Sequence, residues 1–398
     1  MKLRTFESLT LYRHRYKVGY GLILGLGVFL LLFKLGSLLP GISVTESFSR
    51  DSSTLQRIWA NPVFAPYRLL QLLCLKVLGQ NAFALRLPSV IFGAATVFGV
   101  YLFLRSILAE RVAVMGAILV GISTFLMTFS RIGDPSISLA WALSALLAIT
   151  SWLMSSEKRG WWQITNAAIV SVLALYIPFG WLWLLIIVAL HPREFQRFIK
   201  RSSKIWLAVG IFGGLVAIAP LVYAIVKEPQ ILKNLILWPD GMPSFRELSL
   251  NAIKIVPALG WRDLFADPRT HLGNLPLLDV FTSAMVLTGA LTLIMKPTLA
   301  RTRILFICGI ACFVFLAVNP NPTNFAILIP IIGILGAIGM ERLLMEWYEM
   351  FPLNPFARVA ALLPLAIIFS MTIFYHVHRS FVAWPKTPET KAAYQQKL

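Results

Sequence analysis

Carboxylates are scarce in this chain: 17 Asp and Glu stand against 36 Lys and Arg, and charged residues of both signs make up only 13% of the 398 residues. Three cysteines give no disulfide framework, which excludes a small stapled fold. Cys308 and Cys312, at i and i+4 inside an apolar stretch, read as small packing residues rather than metal ligands. The chain has no zinc-ligand spacing, no phosphate-cradling glycine loop and no dinucleotide-binding glycine motif. No Asp, Glu or His falls near the middle of any long apolar stretch, where ion-coupled transporters usually place such groups. That weakens a transporter reading.

What is present is hydrophobic length. Hydrophobic residues reach 58% and mean hydropathy is +0.76, outside the range of soluble domains. Apolar stretches long enough to cross a bilayer fall at 18–39, 84–104, 112–130, 136–154, 161–177, 179–190, 205–226, 278–295, 304–318, 324–340 and 359–378. The expected fold class is an all-α polytopic membrane protein with about 11 transmembrane helices and interfacial helices in its outer loops. The fifth and sixth spans are the least separated, because Tyr176-Ile177-Pro178-Phe179-Gly180 leaves little room for a turn.

Charge sets the expected topology. An N-terminus in the cytoplasm puts Lys2, Arg4, Arg13, Arg15 and Lys17 inside, with Arg105, Arg111, Lys158, Arg159, Lys296, Arg301 and Arg303. The tightest cluster, Arg193, Arg197, Lys200, Arg201 and Lys204, falls inside as well. Short loops then obey the positive-inside rule, and the alternating count puts the C-terminus outside. The net charge of +19 is therefore mostly a topology signal; scattered over alternating loops, it is not a nucleic-acid footprint. The first span follows a basic leader without a clear cleavage site and reads as a retained signal anchor, placing the protein in the cell membrane.

Residues 1–378 read as a single transmembrane domain, and 379–398 as a mobile polar tail. Two outer loops, 40–83 and 227–277, are long enough to build a site. The first holds Glu46, Arg50, Asp51, Arg57, Asn61-Pro62 and Pro66-Tyr67-Arg68, and Tyr67 to Leu78 has the apolar spacing of an interfacial helix. The second holds Trp238-Pro239-Asp240-Gly241, Trp261-Arg262-Asp263, Asp267 and His271, and its Pro, Gly and Trp content suggests short interfacial helices. A third element is the corner Ser130-Arg131-Ile132-Gly133-Asp134-Pro135.

Arg86 precedes Pro88, a residue suited to the first turn of a helix, at the mouth of the second span. It reads either as a receiver for a lipid phosphate or as a snorkelling end-of-helix arginine. The topology brings Glu46, Asp51, Arg86, Arg131 and Asp134 to one side of the membrane. Carboxylates beside arginines there suit group transfer from a phosphate-linked lipid: a carboxylate takes the acceptor's proton and arginine holds the leaving phosphate. The competing reading makes Arg131–Asp134 a structural ion pair, with Asp134 starting the next helix.

An acidic first loop, Asn-Pro…Pro-Tyr, then Leu78-Gly79…Phe83-Ala84-Leu85-Arg86-Leu87-Pro88-Ser89…Gly93 and Ser130-Arg131-Ile132-Gly133-Asp134, resembles the GT-C glycosyltransferases. Within them it is similar to family 39, the protein O-mannosyltransferase and aminoarabinose-transferase group. The match covers residues 40–150, with Asn274-Leu275-Pro276 and the Pro330…Gly339 span similar to later segments. The resemblance implies a polyprenyl-phosphate-linked monosaccharide donor, a protein, lipid or glycan acceptor, and inversion at the anomeric carbon on the outer face. It implies a catalytic base in the first loop, Glu46 with Asp51 as substitute, and an Asp134 that supports the site, in some members through a divalent metal (Mg or Mn) held with Glu46. Arg86 and Arg131 are then the phosphate holders, with Arg50, Tyr67, Trp261 and Asp263 as further substrate contacts and Trp238 beside them. The family carries an Asp-Glu pair where this chain reads Thr45-Glu46. That departure keeps open a lipid-binding or accessory subunit without turnover.

Overall fold

The computed structural model describes residues 15–155, 161–239, 241–265, 267–297, 299–350 and 355–396. The basic residues Lys2, Arg4 and Arg13 of the leader, Lys158, Arg159 and Asp240 lie outside the described residues. Among those described the chain is helical without a strand, its one extended pairing being an isolated antiparallel bridge between Ile42 and Gln396. In chain order the helices are α1 (Arg15–Leu32), α2 (Val44–Ser52), α3 (Leu55–Ala60), α4 (Ala65–Leu78), α5 (Ala82–Ile107), α6 (Glu110–Ile122), α7 (Thr124–Phe129) and α8 (Ile137–Ser155). There follow α9 (Trp161–Leu175), α10 (Gly180–Leu190), α11 (Pro192–Arg201), α12 (Lys204–Lys227), α13 (Gln230–Ile236), α14 (Phe245–Gly260), α15 (Val280–Ile294) and α16 (Ala300–Val318). A 3₁₀ turn (Pro322–Leu328) leads into α17 (Ile329–Met350), then come α18 (Pro355–His378), a π turn (Arg379–Ala383), α19 (Trp384–Lys386) and α20 (Pro388–Ala393).

Each expected span has a helical counterpart. Five helical stretches are long and apolar enough to cross a membrane (Ala82–Ile107, Ile137–Met154, Lys204–Lys227, Pro322–Met350, Leu362–Lys386), and shorter apolar helices cover the other spans, α6 and α7 together forming the third. The protein is a multi-pass membrane protein. Burial orders the bundle: 89% of the most apolar stretch of Pro322–Met350 is buried, against 6% for Lys204–Lys227. The 3₁₀ turn and α17 therefore form the centre, and α12 is an outer wall facing lipid. Centrality demands small residues. A Cβ on Gly289 would fall 2.0 Å from the Leu335 carbonyl oxygen, and one on Gly339 only 1.9 Å from that of Met285. Helices α15 and α17 thus meet backbone to backbone, by the small-residue packing that membrane helices use.

The turn between the fifth and sixth spans is closed by unusual backbone. Phe179 adopts a left-handed conformation (φ 65°), Phe64 N–H donates to the Tyr176 carbonyl, and a Cβ on Gly180 would lie 1.7 Å from the Ala174 oxygen. The tyrosine-to-glycine stretch that is short of room in sequence is a compact corner in three dimensions.

Two expectations change. Pro88 does not start the second span: Asn81 caps α5 by accepting from Ala84 N–H at 2.8 Å, which moves the start upstream and leaves Pro88 inside the helix. The tail is packed rather than free. Tyr394 is fully buried, Trp384 nearly so, and Gln396 exchanges backbone hydrogen bonds with Ile42.

Candidate active site

Helix α2 places the first-loop acid. Ser43 and Glu46 form a reciprocal capping box: Ser43 N–H donates to Glu46 Oε2 at 2.9 Å while Glu46 N–H donates to Ser43 Oγ. This turns the Glu46 side chain inward, where Arg86 donates Nε to Oε1 at 2.7 Å and Nη2 to Oε2 at 3.1 Å. Gly133 N–H adds a fourth bond, to Oε1 at 2.7 Å. The Arg86 guanidinium is equally occupied, with Nη1 on the Leu35 carbonyl at 3.1 Å and Nη2 on that of Gly41 at 2.7 Å. Both side chains are buried, and the Tyr394 ring packs 5.8 Å from the guanidinium carbon.

This geometry differs from the expectation for both residues. A carboxylate accepting four N–H bonds presents no free oxygen to an acceptor hydroxyl, and a buried arginine with four of its five N–H groups taken has little left for a phosphate. Nor does Glu46 fit the expected metal role, since its oxygens are taken; among the described residues no group of three or more His, Cys, Asp or Glu is placed to hold an ion. The pair joins first loop, second span and the 130–135 corner into one rigid unit.

Arg131 is also buried, but its partners are carbonyls: Nη1 donates to Leu30 at 2.8 Å and Nη2 to Phe33 at 2.7 Å, with Phe381 stacked 4.5 Å away. It satisfies carbonyl groups that the end of α1 leaves unpaired. Burial, then the neighbouring Arg86, lowers its pKa to about 10. The anticipated Arg131–Asp134 ion pair does not form. Tyr67 is fully buried, its hydroxyl 2.7 Å from Ser89 Oγ, which donates to the Ile132 carbonyl. Burial pushes its phenol well above the usual range.

The remaining predicted residues separate. Arg50 and Asp51 pair with each other at 3.0 Å on the surface, away from Glu46. Trp261 is 84% exposed, whereas Asp263 is buried beside His271 at 3.5 Å and accepts from Phe265 N–H. Burial holds the His271 pKa below its ordinary value. Trp238 is exposed. None of these reaches the Glu46 cluster by a hydrogen bond.

Asp134 is the carboxylate that keeps freedom. It is half-buried beside the Glu46 cluster, its Oδ1 accepting from Ser136 N–H at 2.9 Å. Burial raises its pKa, with the Glu46 charge acting in the same direction and Arg269 against it. Arg269, a residue the sequence reading passes over, belongs to the second loop and grips Asp267 through Nε and Nη2 (2.9 and 2.7 Å). Its side chain stays 32% exposed, and among the described residues no hydrogen bond occupies Nη1. The hydrogen bonds to Asp267 raise the Arg269 pKa, the charges of Asp267 and Asp134 add to the rise, and burial works against it. Gln71 is the other residue passed over. Its amide accepts from Ser49 and Ser53 Oγ (2.9 and 2.6 Å) and donates to the Leu85 carbonyl at 2.9 Å, fixing α2 to α4 and α5. A lone interior glutamine gives no sequence signal; its role shows only once Ser49 and Ser53 are placed against it.

The tail closes the arrangement. Tyr394 hydroxyl donates to the Arg269 carbonyl at 2.8 Å, while Trp384 Nε1 and Thr390 Oγ1 both reach that of Pro268 at 3.2 Å.

Residues 61–224 match the family model described as dolichyl-phosphate-mannose-protein mannosyltransferase. No curated protein matches the sequence. Among solved structures, ArnT from Cupriavidus metallidurans bound to undecaprenyl phosphate superposes with a TM-score of 0.60 at 14% identity, over 94% of this chain and 77% of that one. The apo form of the same protein gives 0.58 at 14% identity, over 95% and 77%. The oligosaccharyltransferase AglB from Archaeoglobus fulgidus, in complex with an inhibitory peptide and a dolichol-phosphate, gives 0.55 at 14% identity, over 96% of this chain and 60% of that one. The likeness runs along nearly the whole chain in each case.

Proposed function

From the GT-C fold that this chain has in common with ArnT and AglB, we propose that it is a membrane glycosyltransferase that moves a monosaccharide from a polyprenyl-phosphate donor to an acceptor hydroxyl, with inversion. The observation that carries the reading is that a half-buried carboxylate, Asp134, with no ion-pair partner among the described residues, and a partly exposed arginine, Arg269, lie close enough for each to act on the other's charge. In this mechanism the acceptor oxygen attacks the anomeric carbon as its proton passes to Asp134. The bond from that carbon to the phosphate oxygen breaks, and the charge growing on the leaving phosphate meets Arg269. A raised pKa makes Asp134 a stronger base. Glu46 and Arg86 act as positioning residues, holding the backbone of Gly133 next to it. The site then faces the outside of the cell membrane, with the N-terminus in the cytoplasm, a placing that the distribution of basic residues supports.

A second reading, donor-lipid binding without turnover, is favoured by one observation: the family's acidic position is Thr45, whose hydroxyl is 3.0 Å from Ser43 Oγ. Purified protein incubated with radiolabelled polyprenyl-phosphate sugars and a membrane extract separates the two. Transfer that Asp134→Asn and Arg269→Gln abolish and Asp51→Asn leaves intact supports the enzyme. Saturable donor binding with no transfer from any donor supports the second reading.

A further inference from the structure

The end of the bundle farthest from Asp134 holds a second feature. Helix α8 starts three residues after Asp134 and runs 19 residues, about 28 Å at 1.5 Å per residue. Helix α9 returns and α10 leads away again, so α11 lies at the opposite end. There a cavity of about 520 Å³ opens between the ends of α8, α9, α10 and α12, lined by residues such as Leu146, Ile164, Val172 and Ile211. Among the described residues its only polar side chains are Thr150, Ser171, His191 and Glu194.

Helix α11 forms the rim. Phe195, Phe198 and Ile199, spaced three and four apart, line the cavity, although Phe195 and Ile199 are 45% and 43% exposed. On the other face Arg193, Arg197, Lys200, Arg201 and the following Lys204 recur at the same spacing, all exposed and none in an ion pair among the described residues. Glu194 is the helix's single acid.

A greasy cleft roofed by a basic amphipathic helix has the chemistry of an anionic lipid site. We propose that α11 and the cavity beneath it bind an anionic diacyl phospholipid of the leaflet opposite the site, one acyl chain between α9 and α12 and the phosphate on Arg193, Arg197, Lys200 and Arg201. Two alternatives fit less well. A neutral lipid leaves the basic stripe without a partner. The tail of a polyprenyl-phosphate donor brings one phosphate, and that phosphate belongs at Arg269, the far end of the molecule.

The test uses the full chain in detergent, delipidated, with phosphatidylglycerol, phosphatidylcholine, a polyprenyl phosphate or inorganic phosphate added. Native mass spectrometry and thermal unfolding read retention and stabilisation. Phosphatidylglycerol should be retained on the order of tenfold better than phosphatidylcholine, a preference that the Arg197→Gln/Lys200→Gln/Arg201→Gln variant removes. The independent Ala168→Phe variant, which fills the cavity and leaves the charges in place, should also reduce retention. Equal retention of both phospholipids, or a preference that survives both variants, overturns the proposal. So does stabilisation by inorganic phosphate alone equal to that by phosphatidylglycerol, or a triple-variant loss that affects polyprenyl phosphate and not phosphatidylglycerol.

Discussion

Arg86 and Glu46, forty residues apart in sequence, meet through two hydrogen bonds of 2.7 and 3.1 Å where no water reaches either side chain. Removing one partner of such a pair strands the other charge in an apolar setting. Glu46→Gln and Arg86→Met should each cost about 3–5 kcal/mol. The double variant should cost much less than the sum of the two, because it leaves no stranded charge. Thermal or denaturant unfolding in detergent measures this cycle; additive losses would contradict a coupled pair.

Asp134 should behave in the opposite way. Its folded pKa lies above the unfolded value because burial disfavours the charged form, so the folded state binds the proton more tightly. Stability contributed by this group is therefore highest below the unfolded value, about 3.9, and falls as pH rises through the folded pKa. Asp134→Asn should raise the unfolding temperature at neutral pH while abolishing transfer. Transfer by the natural chain should rise with pH through the same window, since the base works ionised. A variant that is both inactive and less stable would argue for a purely structural aspartate.

The α15–α17 contact predicts intolerance at two glycines. Gly289→Ala and Gly339→Ala place a methyl carbon about where a carbonyl oxygen already stands. Separation of the helices should cost on the order of 1–3 kcal/mol or more. Gly213→Ala, on the outer wall with nothing within 4 Å of the new carbon, is the control and should leave the unfolding temperature unchanged.

Much of the architecture is legible in the sequence, because membrane spans announce themselves by length and the absence of charge. The site is legible at a coarser level. Glu46, Arg86 and Asp134 stand out as rare charges at helix mouths, and they do gather at one end. Whether a charge is free or spent is invisible in one dimension: Glu46 looks like a base until the Ser43 cap and the Gly133 amide are placed around it. Arg131 and Asp134 look like partners by proximity, yet Arg131 finds the open carbonyls of α1 first. Arg269 sits in a segment read for its tryptophans. Tyr394 lies in a stretch whose polarity suggests mobility, and only its contacts with Arg86 and the Arg269 carbonyl reveal otherwise.

The tail supplies a further prediction. Tyr394→Ala removes a fully buried ring and the bond to the Arg269 carbonyl, at a cost of about 3 kcal/mol. Hydrogen exchange should accelerate at both 41–46 and 267–271, the two segments that the tail fastens. Acceleration confined to the tail itself would show that it decorates the site without holding it.

The bridge from Ile42 to Gln396 has a consequence for biosynthesis. During translation the first loop is made early, while residues 384–396 leave the ribosome after the other residues around Arg86 and Arg269. A chain arrested before that point can still pair Arg86 with Glu46, but it lacks the Tyr394 ring against the guanidinium and the tail's hold on the Pro268 and Arg269 carbonyls. The fastening of the first loop to the second through the tail thus comes after the helices that carry both loops have been made.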